Sequence, residues 1–252
     1  MQYFDTHAHY DFKQFSKDRE SLLEALPQAG IAGVVNIGTD AQTSKNSVDL
    51  ANRYPYIWAS VGFHPHSADY ANEEGFKQIK ELAKNSRVVA IGETGFDYFK
   101  GFSSRDNQRR WFARQLELAQ ALELPVVVHS RDAAEDTLKM LREYNVGRGV
   151  VHCFGDNLEY ALAYQDMGLF IGIGGIITYP GTKELARAVR GIRLESILLE
   201  TDCPYLSPNR KERNDSRNLV SICESLASIL GIGSKELAQI TTENARRFYN
   251  LY

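Results

Sequence analysis

The chain has 252 residues and a formal net charge of −3, with 43% hydrophobic and 24% charged residues. This composition is typical of a globular protein that is long enough to bury a full core. The charge excludes a global basic field of the kind that attracts nucleic acid. It does not exclude an enzyme that acts on nucleic acid, because bound metal ions add positive charge that residue counts omit.

The N-terminal segment and the cysteines predict the compartment. The segment Met-Gln-Tyr-Phe-Asp-Thr-His-Ala-His has no basic region followed by an apolar stretch, so it lacks the pattern of a signal peptide. No run approaches the roughly 20 apolar residues of a membrane span. The three scattered cysteines are typical of a reducing environment. We therefore expect a cytoplasmic protein with no membrane contact and no obligate protein partner.

Eight apolar runs in chain order predict eight β-strands. Most of these runs are continuously apolar rather than alternating, which indicates strands covered on both faces, as in a parallel sheet with helices outside it. The predicted strands cover residues 3–8, 33–38, 56–63, 88–95, 125–130, 149–154, 169–175 and 197–202.

Amphipathic segments separate the strands and follow the last one, and their apolar residues recur near the 3.6-residue period of a helix. The predicted helices cover residues 17–29, 42–54, 73–85, 105–122, 133–144, 158–167, 182–189, 217–230, 234–240 and 242–249. This alternation of strand and helix predicts a (β/α)8 TIM barrel, and the lack of a linker predicts a single domain over residues 1–252. A doubly wound open sheet is the alternative fold.

All six histidines and two carboxylates lie at or just beyond the ends of predicted strands. They are His7, His9, His64, His66, His129, His152, Glu93 and Asp202. In a parallel barrel the carboxyl ends of the strands meet at one mouth, so these side chains from distant parts of the chain come together. Imidazoles and carboxylates bind divalent metals, and the pattern therefore indicates a metal-dependent hydrolase.

The pair His7 and His9 is the strongest local signal. Alternate residues of a strand share a face, so both imidazoles can bind one ion. Glu93 closes an apolar strand, where a carboxylate either pairs with a basic residue or bridges two metals. His129 and His152 close the fifth and sixth predicted strands, and they favour a second metal ion.

Asp202 closes the eighth predicted strand. It can bind the first metal and also accept a proton from the attacking water, because a metal lowers the pKa of water toward neutrality. Glu200 has the same strand parity and can orient other groups. His64, beyond the third strand, and Arg131 are candidates for substrate contact. The Arg131 guanidinium suits a phosphate, or else it pairs with Asp132 or another carboxylate.

Seven short motifs, taken in order, resemble those of the TatD-type metal-dependent hydrolases. They are Asp-Thr-His-Ala-His (5–9), Gly-Phe-His-Pro-His (62–66), Gly-Glu-Thr-Gly-Phe-Asp (92–97), Pro-Val-Val-Val-His-Ser-Arg-Asp-Ala (125–133), His-Cys-Phe (152–154), Glu-Thr-Asp-Cys-Pro-Tyr-Leu (200–206) and Thr-Glu-Asn-Ala-Arg-Arg-Phe (242–248). Two positions depart from the family pattern: Gly155 with Asp156, and Asn214 with Asp215 and Ser216.

The resemblance implies an amidohydrolase-type barrel with two divalent metal ions, for which Mg, Mn and Zn are candidates. It implies that His7, His9 and Asp202 bind the first ion, that His129 and His152 bind the second, and that Glu93 bridges the two. Glu93 and Asp202 are then the catalytic carboxylates.

The family resemblance also implies hydrolysis of DNA phosphodiester bonds, with exonuclease activity on single strands in some members. His64 and Arg131 are then candidates for phosphate contact. Aromatic residues near the mouth are candidates for stacking on bases: Phe63, Tyr98, Phe99, Phe154 and Tyr179. Two alternatives stay open. The same site could act on a small phosphoester, amide or lactone, or the barrel could be a non-catalytic binding protein.

Overall fold

Eight parallel strands form one sheet that curves into a barrel in the computed structural model, which describes residues 1–251. The strands β1–β8 cover Tyr3–Ala8, Ile31–Ile37, Ile57–Val61, Val88–Asp97, Val126–Arg131, Gly149–Val151, Phe170–Ile173 and Ile197–Leu199. Each strand pairs with the next one along the chain. A parallel bridge between Ala8 and Cys203 joins β1 to the segment after β8. The predicted (β/α)8 TIM barrel is confirmed.

The helices α1–α9 alternate with the strands and continue beyond the last one. They cover Arg19–Ala25, Ala41–Arg53, Glu73–Leu82, Arg105–Ala121, Ala134–Glu143, Leu158–Asp166, Lys183–Gly191, Leu219–Leu230 and Ser234–Tyr249. The prediction of two helices over 234–240 and 242–249 was wrong. They form the single helix α9, in which the buried hydroxyl of Thr241 donates to the carbonyl of Leu237. None of the helices within residues 1–251 has the combined length and apolar character needed to cross a bilayer.

The last three predicted strands extend too far. The strands β6, β7 and β8 end at Val151, Ile173 and Leu199. Cys153 and Asp202 have φ angles of 47° and 55°, which belong to the left-handed region and are incompatible with a strand. The site candidates on these two segments therefore lie just beyond the strand ends, where a tight turn rather than the pleat of the sheet directs their side chains.

The barrel interior beneath the mouth is apolar. Val127 and Val150 each precede a strand-end histidine by two positions, and both belong to a buried cluster that includes Phe248 and Tyr249 of α9. The Tyr249 hydroxyl donates to the Thr6 carbonyl over 3.2 Å. The apolar interior therefore supports the mouth from below, as in other barrels of this type.

Asp5 is a buried carboxylate that connects three parts of the barrel. It accepts hydrogen bonds from the Thr201 amide at 3.0 Å, the Thr201 hydroxyl at 2.6 Å and the Ser216 hydroxyl at 2.6 Å. Burial raises the pKa of Asp5 to about 7, although these hydrogen bonds oppose the rise. Asp5 thereby ties β1 to the turn after β8 and to the segment that precedes α8.

We predict that Asp5→Ala lowers the free energy of unfolding by about 3 kcal/mol, because several buried donors lose their acceptor at once. Urea unfolding of metal-free protein, followed by circular dichroism, measures the change. The matched control is Asp49→Ala, which removes an exposed ion pair with Lys45 and should cost less than about 1 kcal/mol. Equal losses in the two variants would contradict the structural role of Asp5.

Candidate metal centre

The mouth of the barrel gathers imidazoles and carboxylates from six segments of the chain. Their ligand atoms lie within 4.8 Å of one another in three groups: His7 with Glu93 and His152, His7 with His9 and Asp202, and His64 with Glu93 and His129. The structure thus brings together all six residues that the sequence predicts as metal ligands. All of them are buried or half-buried.

The two carboxylate oxygens of Glu93 face different imidazoles. Its Oε2 lies 3.3 Å from His7 Nε2 and 3.9 Å from His9 Nε2. Its Oε1 lies 2.8 Å from both His129 Nδ1 and His152 Nε2. Glu93 therefore stands between two groups of donors, which is the geometry required of a carboxylate that bridges two ions.

Asp202 completes the group on the Oε2 side. Its Oδ1 lies 3.3 Å from His9 Nε2 and 3.7 Å from His7 Nε2, and the two imidazole nitrogens are 3.2 Å apart. Ligand atoms around a tetrahedral ion with bonds of about 2.1 Å lie about 3.4 Å apart. We call His7, His9, Asp202 and Glu93 Oε2 the first donor set. Its spacing fits one ion.

The group on the Oε1 side is similarly spaced. His129 Nδ1 and His152 Nε2 are 3.1 Å apart, and each is 2.8 Å from Glu93 Oε1. These separations approach the roughly 3 Å expected of neighbouring ligands at right angles around an ion. We call His129, His152 and Glu93 Oε1 the second donor set.

Acceptors behind the imidazoles select the tautomers that a metal needs. The Nδ1 atom of His9 lies 3.1 Å from the Ile37 carbonyl oxygen, to which it donates. The Nε2 atom of His129 lies 3.1 Å from Asp97 Oδ2. In each ring the outer nitrogen carries the proton, so the inner nitrogen directs its lone pair into the site.

Glu200 lies behind the second donor set, although it does not accept a hydrogen bond from it. Its Oε1 lies 3.5 Å from His152 Nδ1 and accepts the amide hydrogen of Cys153. The position agrees with the orienting role that strand parity predicted. The Nδ1 atoms of both His152 and His7 are buried without a hydrogen-bond partner among the described residues.

A cation resolves the electrostatics of this arrangement. Burial opposes protonation of His9 and His129, but the nearby carboxylates raise the pKa of both imidazoles, so without a metal the positive charge between the groups is a proton. When the inner nitrogens lose that proton, they present lone pairs to neighbouring imidazoles and to the Glu93 carboxylate. Lone pairs at about 3 Å repel one another unless a positive charge lies between them. Mixed nitrogen and oxygen donors suit divalent zinc, manganese, cobalt or iron, so the residues present fit a divalent metal.

The charge state of the carboxylates agrees with this fit. Burial alone would raise the pKa of Glu93, but the imidazoles of His152, His64 and His7 outweigh burial and hold the pKa well below its usual range. Burial likewise opposes ionisation of Asp202, while a hydrogen bond from His9 and the nearby imidazoles lower its pKa. Both groups are therefore ionised at neutral pH, as metal ligands must be.

Two glycines allow β4 to approach β5 closely around Glu93. Gly92 and Gly95 have φ angles of 129° and 140°, which a residue with a side chain rarely adopts. A Cβ atom at either position would collide with the backbone of β5, at Val127 and His129 respectively. This close approach places the Glu93 carboxylate in contact with His129.

His64 lies against the second donor set, but its hydrogen bonds differ from those of the ligand candidates. Its Nδ1 accepts the backbone N–H of His66 at 3.0 Å, so Nε2 carries the proton. That Nε2 lies 3.3 Å from Glu93 Oε1. Burial lowers the pKa of His64 to about 4, so the ring is neutral at pH 7. This geometry favours a donor to Glu93 or to substrate, which is the role the sequence predicts.

The structure separates exposed from buried candidates for substrate contact. Arg131 is exposed, and its guanidinium lies 4.0 Å from the centre of the Phe99 ring. Phe99 is 56% exposed. Phe63 and Phe154 are wrong as stacking candidates, because both are buried in the hydrophobic core. In the sequence, a buried ring at the end of an apolar strand cannot be distinguished from an exposed one.

Asp97 is the residue of this site whose role the sequence analysis missed. It ends β4, is 1% exposed, and accepts from both His129 Nε2 and His66 Nε2. Burial alone would raise the pKa of Asp97, but hydrogen bonds from His129, the Lys100 amide and His66 hold it well below its usual range. The sequence feature that could have indicated this role is the position of Asp97 four residues after Glu93, at the end of the same apolar strand.

We predict that Asp97→Asn weakens binding of divalent ions by about 10- to 100-fold, because His129 loses the anionic acceptor that fixes its tautomer. Competition with a fluorescent chelator measures the affinity. The matched control is Asp69→Asn, whose exposed carboxylate contacts Ser104 and Asn107. An unchanged affinity in Asp97→Asn, together with an intact fold, would contradict this role.

Comparison with known proteins identifies the family. A sequence model described as TatD related DNase matches residues 4–250. The chain is 36% identical to the uncharacterized metal-dependent hydrolase YabD of Bacillus subtilis, over 98% of this chain and 99% of that protein. It is also 36% identical to the 3'-5' ssDNA/RNA exonuclease TatD of Pectobacterium parmentieri, again over 98% and 99% of the two chains.

A solved structure agrees with the sequence comparisons. The crystal structure of YjjV, a TatD homologue from Escherichia coli K12, superposes with a TM-score of 0.94 at 30% identity, and the match covers 99% of this chain and 98% of the other. The resemblance inferred from the motifs is thereby confirmed. The chain belongs to the TatD related DNase family and is a metal-dependent hydrolase.

Proposed function

We propose that this hydrolase cleaves phosphodiester bonds of single-stranded DNA, removing nucleotides stepwise from a strand end. The position of Glu93 between two donor sets carries the proposal, because paired ions about 4 Å apart are typical of enzymes that hydrolyse phosphodiesters. The relatives named 3'-5' ssDNA/RNA exonuclease support the same substrate class and attack from the 3' end.

In this proposal each donor set holds one divalent ion, with Mg, Mn and Zn as candidates. His7, His9 and Asp202 would hold the first ion, His129 and His152 would hold the second, and Glu93 would be a ligand of both. When bound, such ions lower the pKa of water and neutralise charge on the phosphate oxygens. The protein residues then have to position the strand and move the proton.

Asp202 is the general base in this proposal. Its side chain is 16% exposed, whereas that of Glu93 is 3% exposed, so Asp202 is the more accessible carboxylate of the first donor set. Its lowered pKa keeps it ionised and able to accept the proton of the attacking water. Glu93 contributes as the shared ligand, and its burial keeps its orientation fixed.

His64 and Arg131 contact the phosphate in complementary ways. The neutral His64 ring offers one Nε2–H at the edge of the second donor set. Arg131 lies two residues after His129 and contributes a permanent cation at the exposed rim. A buried neutral donor and an exposed cation suit the inner and outer oxygens of one phosphate.

The first test is cleavage of single-stranded DNA that is labelled at either end. We expect EDTA-stripped protein to be inactive and added Mg²⁺ or Mn²⁺ to restore stepwise shortening from the 3' end, resolved on a denaturing gel. A 5'-labelled strand then yields a ladder, and a 3'-labelled strand releases its label at once. Metal-loaded protein that cleaves a small phosphoester, amide or lactone but no DNA would contradict the proposal and favour the alternative substrate.

The second test removes the proposed base. We expect Asp202→Asn to reduce kcat on the same DNA by at least about 10³-fold, because both proton transfer and an anionic ligand are lost. His129→Ala should have an effect of similar size through loss of a ligand. Glu212→Gln, at an exposed position of the loop after β8, serves as the control.

Circular dichroism and the bound metal content are measured for each variant, so that misfolding is distinguished from lost chemistry. Substantial turnover by folded Asp202→Asn, in a preparation free of wild-type enzyme, would contradict the assigned role of Asp202.

A further inference from the structure

Two phenyl rings project into solvent from the segment 98–103, which follows β4. Phe99 is 56% exposed and Phe102 is 60% exposed. Exposed aromatic rings contribute nothing to the core, and two such rings on one short segment are candidates for a binding surface. The function described so far uses neither ring.

The segment that carries these rings is anchored at both ends. The Lys100 amide donates to Asp97 Oδ1 over 2.8 Å. The Ser103 hydroxyl donates to the His66 carbonyl over 2.9 Å. The two rings are therefore presented from a fixed support, which reduces the entropy lost when a ligand stacks on them.

The same anchors connect the rings to the candidate metal centre. Asp97 Oδ2 lies 3.1 Å from His129 Nε2 in the second donor set and 2.8 Å from His66 Nε2. The ring centres of His66 and Phe102 are 4.8 Å apart. The side chains of His66 and Asp97 thus connect Phe102 to the proposed metal ligand His129.

Cations surround the exposed Phe99 ring. The Arg131 guanidinium lies 4.0 Å from the ring centre, and Lys100 Nζ lies 5.5 Å from it. Both side chains are exposed. An aromatic surface edged by cations complements a ligand that combines a flat ring with a phosphate, which is the chemistry of a nucleotide.

We propose that Phe99, Phe102 and Arg131 form a stacking platform for unpaired bases of the bound strand, close to the phosphate that is cleaved. The inference rests on the proposed nuclease function and extends it by naming where the base binds. Stacking requires a base that is free of a partner strand, so the platform selects single strands. It should tolerate all four bases, because each has a flat face.

The test compares variants on strands with and without bases. The substrates are one single-stranded DNA and the same strand with three abasic nucleotides at its 3' end. We expect Phe99→Ala combined with Phe102→Ala to lower kcat/KM on the intact strand by about 10-fold or more, mainly through KM. On the abasic strand the double variant should equal the wild type.

Two further variants serve as controls. Phe99→Trp combined with Phe102→Trp should retain activity on the intact strand, because it keeps flat rings at both positions. Leu162→Ala removes an exposed apolar side chain from the outer helix α6 and should change activity on neither substrate.

Binding is measured separately by fluorescence anisotropy of the labelled strands with Ca²⁺ in place of the activating ion. This measurement distinguishes failure of the platform from failure of the nuclease function. Weaker binding of the intact strand alone by the alanine variant supports the platform even if no turnover occurs.

Two outcomes would overturn the platform. The first is equal activity and equal binding of variant and wild type on the intact strand. The second is an equal loss of activity or binding on the intact and the abasic strand, because the loss then does not depend on the bases. A wild-type protein that neither cleaves nor binds DNA overturns both proposals.

Discussion

The arrangement of the mouth depends on a single buried carboxylate placed among imidazoles. Glu93 contacts His7 through one oxygen and both His129 and His152 through the other. A buried carboxylate is stable only when positive charge lies beside it, either as protons on the surrounding imidazoles or as a bound metal ion. The backbone geometry of β4, with glycine on either side of Glu93, brings the carboxylate into that position. The fold of β4 therefore creates the need for positive charge around Glu93.

Hydrogen-bond acceptors behind the donor sets hold the imidazoles in position. The Ile37 carbonyl lies behind His9 and Asp97 lies behind His129, and each accepts from the outer nitrogen of its imidazole. The Glu200 carboxylate lies 3.5 Å from His152 Nδ1. Asp5 acts one layer further out, because it joins β1 to the turn that carries Asp202. The geometry of the site thus depends on residues behind the proposed ligands as well as on the ligands themselves.

The sequence predicted the barrel and the converging ligands because both follow from strand periodicity and from side chains at strand ends. It could not locate the ends of β6 and β8, since the left-handed residues Cys153 and Asp202 carry no distinct sequence signal. It missed the role of Asp97, which depends on contacts across the mouth. It could not separate buried Phe63 from exposed Phe99, because both follow apolar strands and only tertiary packing distinguishes them.

Counting bound Mn²⁺ by electron paramagnetic resonance shows whether Glu93 joins two ions. Metal-free protein is titrated with Mn²⁺, and the spectrum reports both the number of ions and their magnetic coupling. We expect two Mn²⁺ ions per chain that are magnetically coupled through a shared carboxylate, and we expect Glu93→Gln to lose this coupling. A single bound ion at saturation, or two ions without coupling, would contradict this expectation.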